Sequence, residues 1–234
     1  MSKIVLKVEG LHGGYGDSEV LHGVDLEVRR GETLSMLGLN GAGKTTTLRA
    51  ITGLLKRRTG SIRLNGAELI GKPIHSIARQ GIGYVPEERG IFAALTVEEN
   101  LLLPPAIAVG GLDIKEIYQL FPNLKDRSRS AGTKLSGGEQ QMLAIARVLR
   151  TGAQFLILDE PTEGLAPVII DRIGDVLTYL KERGMTILLV EQNFSFAQRV
   201  ADRFVVMDHG VIADTFLSSE LGDRKAALQA QLGV

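Results

Sequence analysis

The sequence predicts an α/β fold with a parallel sheet, an antiparallel β region at the N-terminus and an inserted helical subdomain. Three patterns support this prediction. Short strand-like runs separated by glycine-rich turns fill residues 3–85 around one helical segment. Residues 96–150 have mainly helical periodicity, and strand and helix patterns alternate after residue 150. Such alternation is typical of parallel strands covered by helices.

Composition limits the functions open to this chain. It has 234 residues, 44% of them hydrophobic and 23% charged, as in an ordinary globular protein. The 27 basic and 27 acidic residues balance, so no net charge favours nucleic acid, and the basic cluster Lys56–Arg58 suits the end of a helix. The absence of cysteine excludes disulfides and thiolate metal sites. The N-terminus reads as a strand, and the longest apolar run, Leu101–Val109, is too short to cross a bilayer, so we expect a cytoplasmic chain.

The first strongly patterned stretch is GLNGAGKTT, which lies between the strand-like run TLSML and a helical segment, Lys44–Leu55. It fits G-x-x-x-x-G-K-[ST], the P-loop pattern, in which glycines let backbone N–H groups wrap phosphates. Lys44 would reach the β- and γ-phosphates, and the Thr45 hydroxyl would bind Mg²⁺. An ordinary glycine-rich turn is the alternative. The predicted nucleotide-binding residues are Gly38, Leu39, Asn40, Gly41, Ala42, Gly43, Lys44, Thr45 and Thr46.

The helical region contains three pairs of residues spaced as helix capping boxes. They are Thr96 with Glu99, Asp113 with Glu116, and Ser136 with Glu139. Inside the last pair, Gly137 and Gly138 each cost about 1 kcal/mol relative to alanine in a helix. Their lack of side chains opens the backbone N–H groups of the helix start to an anion. A capping role alone would leave the two glycines unexplained.

The stretch FLILDEPTEGLAP supplies two candidate acidic residues. Its four apolar residues predict a buried strand that ends at Asp159, whose carboxylate would help to hold a metal ion beside a P-loop. Glu160 would leave the strand in another direction and polarise an attacking water. A solvated turn is the alternative. A helix beginning at Pro167 and the strand-like runs MTILLV and FVVM complete the alternating pattern.

Together these motifs resemble the ATP-binding subunits of ABC transporters over nearly the whole chain. In that family the signature L-S-G-G-E/Q, here Leu135–Glu139, lies in a helical subdomain between the P-loop and the acidic strand. The resemblance implies one domain over residues 1–234, with a catalytic core of residues 1–90 and 151–234 and a signature subdomain of about 91–150. It also implies that two subunits pack head to tail. Residues Ser136, Gly137, Gly138 and Glu139 would then bind the γ-phosphate of ATP held by the partner's P-loop.

Further positions match the family one at a time. Tyr15 stands where an aromatic residue stacks on adenine, although it also suits a simple turn. Residues Glu163–Pro167 occupy the D-loop position but depart from the usual Ser-Ala-Leu-Asp. The run FVVMDHGVI resembles the family's late strand-turn-strand, so we interpret His209 as a turn residue within Asp208–Gly210.

Two departures from the family affect the catalytic residues. Glu87 replaces the usual glutamine of the Q-loop, and Gln192 replaces the usual switch histidine. Glu87 would still approach Mg²⁺ or water, and Gln192 would still donate to the γ-phosphate, but an amide cannot carry a proton as imidazole does. This combination, with LTVEENL at Leu95–Leu101, resembles an ATPase subunit of uptake systems for branched-chain amino acids, urea or short amides.

The resemblance implies a mechanism and several partners. ATP binding would close two ATP-binding subunits and hydrolysis would reopen them, driving a transmembrane permease through alternating access at the cytoplasmic face of the membrane. A solute-binding protein would take part indirectly, and no nucleic acid is expected. Residues Ile91–Val109 would contact the permease; alternatively, most of Phe92, Leu101, Leu102 and Leu103 would fill the subdomain core. A soluble ABC ATPase acting as an assembly scaffold, or a P-loop kinase, remains as the alternative function.

Overall fold

Two sheets form the framework of the computed structural model, which describes residues 3–222, 224 and 228. The first is antiparallel and has the strand order β2-β1-β4-β5. Its strands are β1 (Ile4–Tyr15), β2 (Ser18–Arg29), β4 (Arg57–Leu64) and β5 (Ala67–Glu68). The predicted antiparallel N-terminal β region is therefore confirmed.

The second sheet has six strands in the order β10-β9-β3-β8-β7-β6. They are β3 (Thr33–Leu37), β6 (Ile82–Val85), β7 (Phe155–Asp159), β8 (Thr186–Val190), β9 (Arg203–Asp208) and β10 (Val211–Leu217). Strands β9, β3, β8, β7 and β6 run parallel, and every residue of β3, β7 and β8 is buried, as their apolar sequences predict. Strand β10 pairs antiparallel with β9 across a turn at His209 and Gly210, which confirms the predicted turn.

Eight α-helices accompany these strands in the part of the chain that the structure describes. They are α1 (Lys44–Thr52), α2 (Ile74–Ala78), α3 (Val97–Leu102), α4 (Ile114–Leu120), α5 (Pro122–Asp126), α6 (Gly137–Arg150), α7 (Pro167–Glu182) and α8 (Phe194–Val200). The three predicted capping boxes are present at the starts of α3, α4 and α6. None of the helices among the described residues combines the length and apolarity needed to cross a membrane.

The two faces of the parallel sheet pack against different partners. One core joins the antiparallel sheet and α1 to side chains such as Ile157 and Leu188. The other core contains side chains of helices α3, α4, α5, α6 and α7 together with strand residues such as Leu158 and Leu189. The helical region therefore shares a hydrophobic core with the parallel sheet, whose strand β7 ends at Asp159.

Two expectations about the chain near α1 are wrong. Helix α1 ends at Thr52 rather than Leu55, because Gly53 adopts φ 85° and closes the helix with a left-handed cap. The basic cluster Lys56–Arg58 does not sit at a helix end, since Arg57 and Arg58 begin strand β4. Arg58 donates to the Leu55 carbonyl at 2.7 Å instead of compensating a helix dipole.

The expectation that most of four apolar side chains fill the helical core is also wrong. Leu101 is fully buried, but Phe92, Leu102 and Leu103 are 45%, 56% and 52% exposed. In α3 only the face that carries Val97 and Leu101 turns toward the core, so Leu102 and the residue after the helix point outward.

Candidate functional site

The loop between β3 and α1 has the geometry of an anion-binding turn. Gly41 and Gly43 adopt φ 81° and 108°, which side-chain-bearing residues rarely reach. No side chain caps the start of α1, and its first turn carries no acidic residue within the part of the chain described. The first backbone N–H groups of α1 are thus left for a ligand, and phosphate fits this arrangement.

Lys44 places a buried positive charge over this loop. Its side chain is only 4% exposed, and its ammonium donates to the carbonyls of Gly38 at 2.8 Å and Leu39 at 3.1 Å. The Glu160 carboxylate lies 3.3 Å from the same nitrogen. A buried ammonium needs such partners to offset the loss of hydration, and phosphate oxygens can replace them.

Asp159 lies fully buried at the end of β7, beside the same loop. Its carboxylate accepts hydrogen bonds from the Thr45 hydroxyl at 3.1 Å and the Tyr84 hydroxyl at 3.1 Å. Burial raises the pKa of Asp159 to about 6, and the nearby charges of Glu160 and Glu87 act in the same direction. Burial also raises the pKa of Tyr84, so this hydroxyl stays a donor at neutral pH.

Glu160 leaves the strand in a strained backbone conformation. Its φ is 46°, although its N–H still pairs with the Val190 carbonyl at 2.9 Å. This geometry turns the carboxylate toward Lys44 and toward Gln192, whose amide donates to it at 2.7 Å. The same Gln192 nitrogen donates to the Asn40 side-chain oxygen at 2.6 Å. The predicted catalytic pair and the loop therefore form one connected polar network.

A cavity of about 500 Å³ opens beside this network, a size typical of small-ligand sites. Its lining consists of Val20, Asn40, Gly41, Gly43, Lys44, Thr45, Thr46, Glu87, Glu160, Glu163 and Gln192. The oxygen donors are the type that Mg²⁺ prefers, but the described residues hold no group of three or more His, Cys, Asp or Glu that could bind a metal alone. Mg²⁺ would therefore need phosphate oxygens and water as further ligands.

The structure keeps Tyr15 and the signature apart from this cavity. Tyr15 lies exposed at the end of β1, and its hydroxyl accepts from the Arg49 guanidinium at 3.4 Å. Ser136 and Glu139 line a separate cavity of about 540 Å³, between α6 and α7. No residue lines both cavities among those that the structure describes.

The signature turn is capped as predicted, but the two glycines also have packing roles within the chain. Ser136 and Glu139 exchange side-chain-to-backbone hydrogen bonds of 3.3 Å and 2.8 Å. A methyl group on Gly138 would lie 2.8 Å from Ile169 of α7, and one on Gly137 would lie 3.1 Å from the Arg89 guanidinium. Capping alone still does not explain the two glycines, but packing against Ile169 accounts for Gly138, and the Arg89 guanidinium lies close to Gly137.

Two residues of the site, Tyr84 and Glu191, were not predicted from the sequence, and Glu163, predicted only as part of the D-loop, also lines the P-loop cavity. Glu191 is 2% exposed, and its carboxylate accepts from the Thr162 N–H and hydroxyl at 3.1 and 2.8 Å and from the Asn193 N–H at 3.1 Å. Burial raises its pKa to about 7. Burial and the charges of Glu160 and Glu87 also raise the pKa of Glu163. The available signal was position: Glu191 directly follows a five-residue buried strand, as Glu160 follows β7.

A P-loop beside an acidic strand end, with a capped signature helix inserted between them, defines an ATP-binding cassette. The chain belongs to the ABC transporter family: a model of the family described as "ABC transporter" matches residues 21–163. Members of this family couple ATP hydrolysis to transport, and the chain is an ATP-binding member.

Individual relatives agree with this assignment. The high-affinity branched-chain amino acid transport ATP-binding protein BraG of Pseudomonas aeruginosa is 44% identical over 207 residues, covering 85% of this chain and 86% of BraG. The probable branched-chain amino acid transport ATP-binding protein LivF of Archaeoglobus fulgidus is 37% identical over 239 residues, covering 98% and 99% of the two chains. A solved ATP-binding subunit of an ABC transporter superposes with a TM-score of 0.81 at 31% identity, covering 98% of this chain and all of the other. The predicted ABC ATPase fold is confirmed.

Proposed function

We propose that this chain hydrolyses ATP to power the import of a branched-chain or other hydrophobic amino acid, working as a head-to-tail dimer of ATP-binding subunits. The separation of the signature from the P-loop cavity carries the dimer proposal, since one chain offers two half-sites that do not meet. The names of BraG and LivF support branched-chain amino acids as the solute class. The partner subunit is either a second copy or a related chain.

The P-loop network supports specific roles in ATP hydrolysis. The loop from Gly38 to Thr46 would hold the phosphates, and Thr45 and Asp159, with Glu87 at the cavity edge, would hold Mg²⁺. When bound, Mg²⁺ neutralises charge on the phosphates. Lys44 would exchange its two carbonyl partners for phosphate oxygens, which also loosens its contact with Glu160. Glu160 would then accept a proton from the attacking water, and Gln192 would orient the γ-phosphate.

The signature turn would complete the partner's site. Ser136, Gly137 and Gly138 sit at the start of a fourteen-residue helix whose dipole favours a phosphate there, and Glu139 stabilises the turn. Tyr15 would stack on the adenine at its own P-loop. We retain the division into a core of residues 1–90 and 151–234 and a signature subdomain of about 91–150 as part of this proposal.

The helical region also supports a permease contact. Phe92, Leu102, Leu103 and Val109 expose apolar side chains within residues 91–109, in the segment that follows Glu87. Exposed apolar side chains concentrated in one segment are typical of a protein interface. A permease that docks there would place this chain at the cytoplasmic face of the membrane, with a solute-binding protein acting on the far side.

The test measures uptake in cells. Deleting the gene should abolish high-affinity uptake of labelled leucine, isoleucine and valine while leaving glutamate uptake unchanged. The wild-type gene should restore uptake, and Glu160→Gln should not, because the amide nearly matches the carboxylate in shape but cannot accept the water's proton. Normal leucine, isoleucine and valine uptake in the deletion strain would contradict the solute assignment.

A second readout of the same variant tests the dimer. Purified Glu160→Gln protein should bind ATP, lose nearly all hydrolysis and elute as an ATP-dependent dimer in size-exclusion chromatography. The matched control is Lys44→Ala, which removes the phosphate-facing ammonium and should remain monomeric with ATP. Hydrolysis close to wild type in Glu160→Gln would remove Glu160 from the proposed role.

A further inference from the structure

The short loop after β6, residues 86–90, is held in an unusual backbone conformation. Arg89 adopts φ 65° and Gly90 φ 63°, although Arg89 carries a long side chain that disfavours this region. The Arg89 N–H donates to the Pro86 carbonyl at 2.9 Å, and the Gly90 N–H donates to the Glu88 carbonyl at 2.7 Å. The loop is thus tightly closed, and its strained residue is one that a glycine could replace without strain.

Consecutive side chains of this loop reach different parts of the site. Glu87 lines the cavity at the P-loop. Glu88 lies 3.4 Å from the Arg49 guanidinium, which also holds the Tyr15 hydroxyl. Arg89 turns the opposite way and donates to the Gln140 side-chain oxygen of α6 at 3.0 Å. The loop therefore links the P-loop half of the chain to the signature helix.

The Arg89 guanidinium lies against Gly137, the first residue of α6. A methyl group there would come within 3.1 and 3.2 Å of its two terminal nitrogens, so the guanidinium packs closely on the bare backbone of Gly137. No carboxylate pairs with Arg89 in the described ranges. A cation beside a helix N-terminus opposes the helix dipole, and this arrangement becomes favourable when an anion arrives at the same turn.

We infer that Arg89 is a positioning residue for the signature: through Gln140 and Gly137 it fixes the Ser136–Glu139 turn in the orientation that receives the partner nucleotide's phosphate. A second contact supports the link, since Arg147 of α6 donates to the Gly90 carbonyl at 2.5 Å. The predicted effect of Arg89 on hydrolysis rests on the proposed head-to-tail pairing, whereas its predicted effect on the signature turn does not.

The effect on the turn is measured in the isolated subunit by hydrogen–deuterium exchange. Arg89→Ala should speed exchange at residues 137–139 about tenfold, because the turn loses its lateral support. Binding of ATP to the P-loop should stay within about twofold. The matched control is Arg49→Ala, which removes an arginine on the other side of the same loop and should weaken ATP binding without changing exchange at the turn. Unchanged exchange in Arg89→Ala would overturn the inference.

The effect on hydrolysis is measured by mixing variants. Arg89→Ala should lower kcat at least tenfold with little change in KM for ATP. Mixed with Lys44→Ala, it should recover activity, since both lesions then fall in one composite site and leave the other intact. If Arg89 served its own P-loop instead, each site would carry one lesion and activity would not return, which would overturn the inference.

A control mixture separates this result from the proposed pairing. Lys44→Ala mixed with Ser136→Arg should recover activity in any head-to-tail dimer. If this control recovers and the Arg89→Ala mixture does not, the role of Arg89 is wrong. If the control itself fails, the pairing is wrong, and the exchange measurement alone decides whether Arg89 positions the turn.

Discussion

At the scale of single residues, Gln192 connects two parts of the site through hydrogen bonds. Its one amide nitrogen donates to Asn40 in the P-loop and to Glu160 at the strand end. If it takes over only the switch histidine's hydrogen bond to the γ-phosphate, its removal costs about 1.5 to 3 kcal/mol, the usual value for a bond to a charged group. Gln192→Ala should then slow hydrolysis by about 10- to 100-fold.

The conservative variant sharpens this test. Gln192→His should keep much of the activity and add a pH dependence near an imidazole pKa of about 6.5. Both variants are assayed in the assembled transporter, in which hydrolysis is coupled to transport. Activity of Gln192→Ala equal to the wild type would show that Gln192 has no switch role.

The site residues that were predicted from the sequence and those that were not differ in how far along the chain their interaction partners lie. The P-loop residues are contiguous, because wrapping a phosphate needs successive backbone N–H groups, and a motif therefore shows them. Tyr84 and Glu191 act through Asp159 and Thr162, which lie 75 and 29 residues away along the chain. Only the parallel pairing of β6, β7 and β8 brings these partners together, and no local pattern records it.

At the scale of helices and strands, boundaries were predicted well where the determining interaction is local. The capping boxes of α3, α4 and α6 involve residues three positions apart and were found from spacing alone. The end of α1 is an exception: its cap at Gly53 is local, but the helical pattern continues to Leu55, so the boundary was placed too late. The packing role of Gly138 was missed because Ile169 belongs to another helix.

Helix α6 offers a test of that packing. Gly138→Ala would gain about 1 kcal/mol of helix propensity, but its methyl group would lie 2.8 Å from the branched Ile169 side chain. Overpacking of this kind typically costs about 1 to 3 kcal/mol, so we expect a net loss of stability in urea unfolding. Ile169→Ala alone should destabilise the protein, and combining it with Gly138→Ala should remove the penalty of the alanine. Equal penalties with and without Ile169 would contradict this explanation.

At the scale of the whole molecule, the order of strands and helices predicted the α/β class correctly, because alternating apolar strands and amphipathic helices have few ways to bury both surfaces. The sequence did not indicate which apolar residues remain outside. Leu102 and Leu103 lie at the end of α3, so their exposure depends on how α3 is oriented against α6, whereas Phe92 lies in the loop before the helix. The same tertiary packing also buries Asp159 and Glu191, which lie at the end of β7 and directly after its paired strand β8.

The raised pKa values of these two buried carboxyl groups predict how the free energy of unfolding depends on pH. The pKa of Glu191 is raised to about 7 from 4.5 and that of Asp159 to about 6 from 3.8, so the folded state binds protons more tightly than the unfolded state. Unfolding then releases protons in this range, and the free energy of unfolding falls as pH rises from about 5 to about 7.5. Glu191 contributes at most about 3 kcal/mol to this fall.

Urea unfolding without Mg²⁺ or nucleotide, measured across this pH range, checks the sign. Glu191→Gln should flatten the slope, because the neutral amide has no proton to release. Its absolute stability will fall at low pH, since the amide N–H₂ replaces the oxygen that accepts from the Asn193 N–H. Only the slope is therefore diagnostic. Glu182→Gln, which removes an exposed carboxylate at the end of α7, serves as the control and should keep the wild-type slope. A Glu191→Gln slope as steep as the wild type would show that Glu191 does not titrate with folding.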